Sequence, residues 1–199
     1  MIVLVLTGSI GMGKSTTLRM FAEAGCAVWD ADAAVHRLYA PGGAGAAAVS
    51  EAFGDVLAPD GSVDREALGR MVLGDRDALA RLEALVHPLV AEDRQAVLDR
   101  ARADGAEVAV LDVPLYFETG GGGAEPDAVV VVTASEAVRR ERVLARPGMT
   151  EAKLDSILAR QLPEAERMAR ADHVIRTDGG LEAARAAVAR VLADVQNAP

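Results

Sequence analysis

The stretch Gly8-Ser9-Ile10-Gly11-Met12-Gly13-Lys14-Ser15-Thr16 holds the densest set of phosphate-binding groups in the sequence. It satisfies the pattern G-x-x-x-x-G-K-[ST] and follows Ile2 to Leu6, a short apolar run that reads as a strand. Glycines let successive backbone N–H groups curl around phosphate oxygens, and a helix beginning near Lys14 aims its positive end at the same charge. Gly11, Met12 and Gly13 form the expected cradle for nucleotide phosphates, and Lys14 reaches the β and γ phosphates. Ser15 supplies a hydroxyl for Mg²⁺, with Thr16 adding a second one nearby. Only Lys14 and Lys153 are lysine among 21 basic residues, so one of the two occupies the position where a compact ammonium fits and a guanidinium fork does not.

Further candidates lie where later strands end. Asp30-Ala31-Asp32 follows the second predicted strand, at the edge that opens onto the ligand crevice of an α/β sheet. One of these carboxylates can take the proton of an acceptor hydroxyl; the alternative is a cap for a helix over Ala33 to Leu38. Asp112 closes the third strand and either holds Mg²⁺ through water or caps the next turn. Arg139, Arg142 and Arg146 fall on one helical face, as a phosphate clamp or as a solvated face beside Glu136 and Glu141. His87, before Pro88, reads as a helix-end residue or a substrate contact. His36, His87 and His173 are far apart and Cys26 is the single cysteine, so no zinc spacing exists. Phe21 and Trp29 read as core, and aromatics at 3% argue against a base-stacking surface.

Five short runs, most of them Val-rich, must position these groups: Ile2 to Leu6, Cys26 to Trp29, Glu107 to Val113, Ala128 to Thr133 and Asp172 to Ile175. Continuous apolar runs suit strands covered on both faces, as in a parallel sheet wrapped by helices. Ser15 to Ala24 reads as a helix stopped by Gly25, and the last segment stripes Leu181, Ala184, Val188, Val191, Leu192 and Val195. The span Ala33 to Gly105 reads as a helical insertion, with turns at Pro41-Gly42-Gly43-Ala44-Gly45 and at Pro59-Asp60-Gly61. Pro88 is expected to start a new helix running to about Ala103. Gly120 to Gly123 reads as a connector, and Arg146-Pro147-Gly148 precedes a polar, movable helical flap over Thr150 to Gln161.

At 199 residues the chain is one domain with an appendage. Its net charge of −9 repels nucleic acid and anionic membrane, so phosphate must be captured by a local pocket. One cysteine and no long apolar run point to a reducing cytoplasm.

Taken together, these residues resemble the dephospho-coenzyme A kinase family almost end to end. The resemblance rests on Leu6 to Ser15, Asp30-Ala31-Asp32, Asp64-Arg65-Glu66-Ala67-Leu68-Gly69 and His87-Pro88-Leu89-Val90. It continues through Asp112-Val113-Pro114-Leu115 with Phe117-Glu118, Gln161, and Arg170-Ala171-Asp172-His173-Val174-Ile175. It implies an α/β fold of the P-loop NTPase type: a five-stranded parallel sheet with helices on both faces, a helical substrate-binding insertion and a small lid. The implied nucleotide-binding core is 1–32 with 106–145 and 165–199, the dephospho-CoA domain 33–105, and the lid 146–164.

The implied reaction is phosphorylation by ATP of the ribose 3′-hydroxyl of dephospho-coenzyme A. On that reading Asp32 is the general base, Lys14 and Arg142 offset the growing charge, and Arg139 and Arg146 bind ATP. Ser15 binds Mg²⁺, while Asp32, His87 and Asp112 face the acceptor substrate. The implied partners are the two small molecules, with no nucleic acid and no membrane, and a monomeric or weakly oligomeric chain. Departures from the family pattern are Tyr116 for the common Leu, Arg167 for Lys, Thr177 for Asn, and an extended Gly120 to Gly123 run; Thr177 lies near where the family holds adenine. Two alternatives remain at this point: another small-molecule or nucleoside monophosphate kinase, and an ATP-binding regulatory protein without turnover. A guanine-specific switch is disfavoured, since Asn197 is the only asparagine.

Overall fold

The computed structural model describes residues 1–121, 123 and 125–197; Gly122 of the expected connector lies outside the described residues. The described elements are, in order, β1 (Ile2–Thr7), α1 (Lys14–Glu23), β2 (Ala27–Asp30), α2 (Ala31–Leu38), α3 (Ala44–Phe53), α4 (Arg65–Val72) and α5 (Arg76–Ala103). They continue with β3 (Val108–Asp112), β4 (Ala128–Thr133), α6 (Glu136–Leu144), α7 (Glu151–Leu158), α8 (Glu164–Ala169), β5 (His173–Arg176) and α9 (Gly180–Gln196).

The five strands form one parallel sheet in the order β2-β3-β1-β4-β5. Leu6 is in register with Asp112 on one side and Val130 on the other, and Val132 with Ile175. Every residue of β3 and β4 is buried, which explains why these strands do not alternate in hydropathy. Leu4, Leu6, Val110, Val130 and Val132 pack with Met20 and Phe21 of α1 and with Ala184, Ala187, Val188 and Val191 of α9. Successive strand residues point to opposite faces, so the equally buried Val5, Leu111, Val129 and Val131 mark a second covered face. The expected strands are thus present, with ends shifted by a residue or two.

The chain divides into two compact units, Met1–Trp29 with Ala101–Pro199, and Asp30–Arg100. The second is helical and has its own core of Ala46, Val49, Val56, Val63, Leu68, Val72 and Val86. Asp64 caps α4, its Oδ1 accepting from the Glu66 and Ala67 N–H groups at 2.9 Å. The turn at Pro59-Asp60-Gly61 closes as expected, with Leu57 bridged to Val63 and Gly61 at φ +86°.

One expectation fails here. Pro88 does not start a helix; α5 runs unbroken from Arg76 to Ala103 with Pro88 inside it. Proline supplies no N–H to the carbonyl four residues back, so local preference favours a break. Leu82, Val86 and Val90, four residues apart, all pack on the helical unit's core from both sides of Pro88, and this burial outweighs one missing bond. His87 is therefore an exposed mid-helix residue and not a helix end.

Candidate active site

Backbone geometry shapes the loop between β1 and α1. Gly11 and Gly13 have φ of +79° and +90°, a region costly for any residue with a Cβ. Space is equally restrictive, because a Cβ on Gly11 would stand 2.5 Å from Val143 Cγ2 and 3.1 Å from the Arg139 carbonyl. Gly13 is the N-cap of α1 and makes no side-chain cap, so the first N–H groups of that helix stay directed out of its end. Ser15 and Thr16 are exposed on the first turn, whereas Thr17 is buried and donates to the Gly13 carbonyl at 3.2 Å.

Lys14 emerges from this turn toward the end of β3. Its Nζ lies 2.5 Å from Asp112 Oδ1, and the two side chains are only 15% and 2% exposed. The Val113 N–H donates to the Leu6 carbonyl at 3.0 Å and Thr7 Oγ1 to the Pro114 carbonyl at 3.1 Å, so both strands stay closed up to the ion pair. Asp112 therefore faces the lysine of the loop.

Beside the loop is a cleft of about 410 Å³ lined by Gly11, Gly13, Thr16, Met20, Arg142, Arg146, Thr177, Leu181 and Ala184. Arg142 donates through Nη1 to Thr177 Oγ1 and through Nη2 to the Thr177 carbonyl, each at 2.8 Å. Thr177 Oγ1 in turn donates to the Met12 carbonyl at 2.8 Å, and Ala134 N–H meets Met12 Sδ at 3.2 Å. A single buried hydroxyl thus joins the cradle to the arginine helix.

The three arginines do not share a helical face. Arg139 and Arg142 lie on α6, but Arg146 falls beyond its C-cap, Ala145, because Pro147 disfavours helix for the residue before it. Arg139 is mostly buried: its side chain covers Gly11, its Nη2 is 3.7 Å from Glu136, and its Nε has no partner among the described residues. The solvated-face description fits its neighbour Arg140, which bonds Glu136 at 3.2 Å, Asp155 at 2.9 Å and also Glu151. Those last two bonds strap α7 to α6, and Leu154 of α7 is fully buried, so the polar flap is anchored on one side.

Asp30 and Asp32 separate cleanly. Asp30 is the N-cap of α2, its Oδ1 accepting from Ala33 N–H at 2.9 Å, and Asp32 sits exposed in the first turn with no capping duty. Asp32 and His87 belong to the helical unit; Lys14, Ser15, Asp112 and the arginines belong to the sheet unit.

Sequence reasoning gave no role to Glu118, Gln161 and Arg167, although the first two stand in the quoted motifs. Arg167 is fully buried and donates to Glu118 Oε1 at 2.7 Å. Burial alone would raise the Glu118 pKa; the Leu162 N–H, its own backbone N–H and Arg167 outweigh it and hold the carboxyl below the usual glutamate range. Thr177 carried a signal that sequence could yield, since it lies two residues beyond a predicted strand, at the edge that faces ligand. Burial also lifts the Cys26 thiol to about 11, which disfavours its thiolate.

No group of three or more His, Cys, Asp or Glu able to hold a metal exists among the described residues. The exposed Ser15 hydroxyl and the Asp112 carboxylate at the loop are hard oxygen donors, a set that fits Mg²⁺ carried in by phosphates.

The family model for dephospho-CoA kinase matches residues 2–183. A dephospho-CoA kinase of Mesorhizobium japonicum is 58% identical over 196 residues, 98% of either chain. The solved structure of TT1252 from Thermus thermophilus is 32% identical, with a TM-score of 0.81, covering 98% of this chain and 97% of that one. A dephospho-CoA kinase from Campylobacter jejuni shares the fold at 21% identity and a TM-score of 0.63, covering 97% and 96%.

Proposed function

The chain belongs to the dephospho-CoA kinase family, and from that premise we propose that it passes the γ-phosphoryl group of ATP to the ribose 3′-hydroxyl of dephospho-coenzyme A, the last step of coenzyme A synthesis. The observation that carries this reading is the placement of Lys14 at the start of α1, across from Asp112, at the end of a loop whose Gly11 and Gly13 adopt the positive φ of a phosphate cradle. Phosphoryl transfer needs positioning and charge stabilisation more than covalent help from the protein.

Gly11, Met12, Gly13, Lys14, Ser15 and Thr16 hold the phosphates, with the adenosine end of ATP in the cleft beside Arg142, Arg146 and Thr177. Lys14 and Arg142 offset the charge that grows on the transferred group, and Arg139 supports the loop from behind Gly11. Mg²⁺, held by Ser15 and the phosphates, supplies charge neutralisation when bound. Asp32 accepts the proton of the 3′-hydroxyl, a role its exposure and Asp30's capping leave open to it. His87 and Asp112 act on the acceptor side. No helix among the described residues is long and apolar enough to cross a membrane, and the −9 charge disfavours nucleic acid as a partner; the enzyme is taken as cytoplasmic, and as monomeric or weakly associated.

Substitution tests the base. Asp32→Asn should lower kcat by about 1,000-fold while ATP binding, read by calorimetry, stays within about twofold. Undiminished turnover in that variant would remove Asp32 from the role.

A further inference from the structure

A chain of polar contacts runs from the buried Arg167 in the last turn of α8 to the outer turn of the phosphate loop. Arg167 Nη2 and the Leu162 N–H converge on the same oxygen, Glu118 Oε1, at 2.7 and 2.9 Å. A second guanidinium nitrogen, Nη1, reaches Glu164 at 3.3 Å. Leu162 is covalently next to Gln161, and Gln161 Oε1 accepts from the Ser9 hydroxyl and from the Ile10 N–H, the latter at 3.4 Å. Ser9 is only 5% exposed, so few alternatives to Gln161 are open to its hydroxyl.

The arrangement joins three segments distant in sequence: the loop after β1, the turn after β3, and the stretch between α7 and α8. Its base is rigid, because Arg167 has no exposed surface and its charge is met by two carboxylates. Its tip is a forked contact, one amide oxygen receiving the Ser9 hydroxyl closely and the Ile10 N–H at 3.4 Å. Ser9 and Ile10 occupy the part of the cradle between Gly8 and Gly11, where the direction of each N–H decides how well phosphate oxygens are met.

We propose that Gln161 is a positioning residue for ATP, holding Ser9 and Ile10 in the phosphate-binding conformation, and that Glu118 and Arg167 fix Gln161 through Leu162. A packing role alone would treat these residues as independent contributors to stability. A relay makes them interdependent in nucleotide affinity, and a double-mutant cycle separates the two. The inference rests on the kinase reading of the loop.

The experiment is a cycle of Gln161→Ala, Glu118→Gln and the double variant, read as KM for ATP and KM for dephospho-CoA in steady state. Either single change should raise the ATP KM about tenfold and leave the dephospho-CoA KM within about twofold. The double variant should show the same tenfold rise, because the second change cuts a connection already broken. A rise near the product of the two, about a hundredfold, or an unchanged ATP KM would overturn the proposal. Should Glu118→Gln not fold, Arg167→Lys replaces it: the severalfold effect it has alone should vanish on the Gln161→Ala background, and persistence there would be equally fatal. Wild-type enzyme in the same assay tests the kinase reading on its own, since its failure to turn over would strike that reading, whereas normal turnover with multiplicative effects strikes only the relay.

Discussion

Lys14 Nζ and Asp112 Oδ1 stand 2.5 Å apart at the carboxyl end of the sheet, with the carboxylate almost wholly buried. Both groups have lost most of their water, so their mutual attraction is strong and breaking it is costly. The lysine that phosphate would draw outward is thereby held at the mouth of the loop, on a backbone framework closed by the Val113–Leu6 bond.

Removing the charge of Asp112 should therefore disturb Lys14 more than the fold around it. Asp112→Asn keeps the shape and should lower kcat/KM for ATP by about 100-fold, the scale seen when one partner of a buried pair is lost. Steady-state kinetics beside a melting curve checks this. Activity within about twofold of wild type would mean that Lys14 finds its place without its partner.

Thr177 offers a second test, because its hydroxyl serves Arg142 and the Met12 carbonyl at once. Thr177→Val keeps the volume and removes both bonds, at about 1 kcal/mol each. Calorimetry should show ATP binding weakened by about tenfold or more, and Thr177→Ser should recover it to within about threefold. Loss of affinity in the serine variant as well would assign the effect to packing by the methyl group.

Acid should act on the Glu118–Arg167 pair. The Glu118 pKa is lowered in the folded protein, so its ionised form contributes stability above the unfolded carboxyl value of about 4.3. That contribution is lost as pH falls from there through the lower folded value. Urea midpoints should thus fall more steeply below about pH 4.3 for wild type than for Glu118→Gln, which has no proton to take up. Parallel curves for the two would show that Glu118 is not held in its charged form by these partners.

Local chemistry explains what could be read from the residues alone. The loop from Gly8 to Thr16 was legible because its function needs particular types at particular spacings, and the five strands because burial on both faces forces apolar runs. Which aspartate of Asp30-Ala31-Asp32 caps α2 was not, since either can bond a nearby N–H and only the backbone at Asp30 decides. Pro88 misled for a related reason: its local preference is real, but contacts of Leu82, Val86 and Val90 override it. The Glu118–Arg167 pair spans 49 positions and the Ser9–Gln161 bond 152, distances at which no periodicity carries information. Arg167 hides best, because charge normally marks a surface residue and here marks a buried one.

The central claim, phosphoryl transfer to one sugar hydroxyl, is tested most directly by product analysis. Purified protein is given Mg-ATP with dephospho-coenzyme A, AMP and shikimate in parallel, and each product is located by mass and by phosphorus NMR. The account predicts coenzyme A, phosphorylated at the ribose 3′ position, as the one product formed at a substantial rate. Phosphate appearing on AMP or shikimate in preference, or ATP bound with no acceptor phosphorylated, would contradict it.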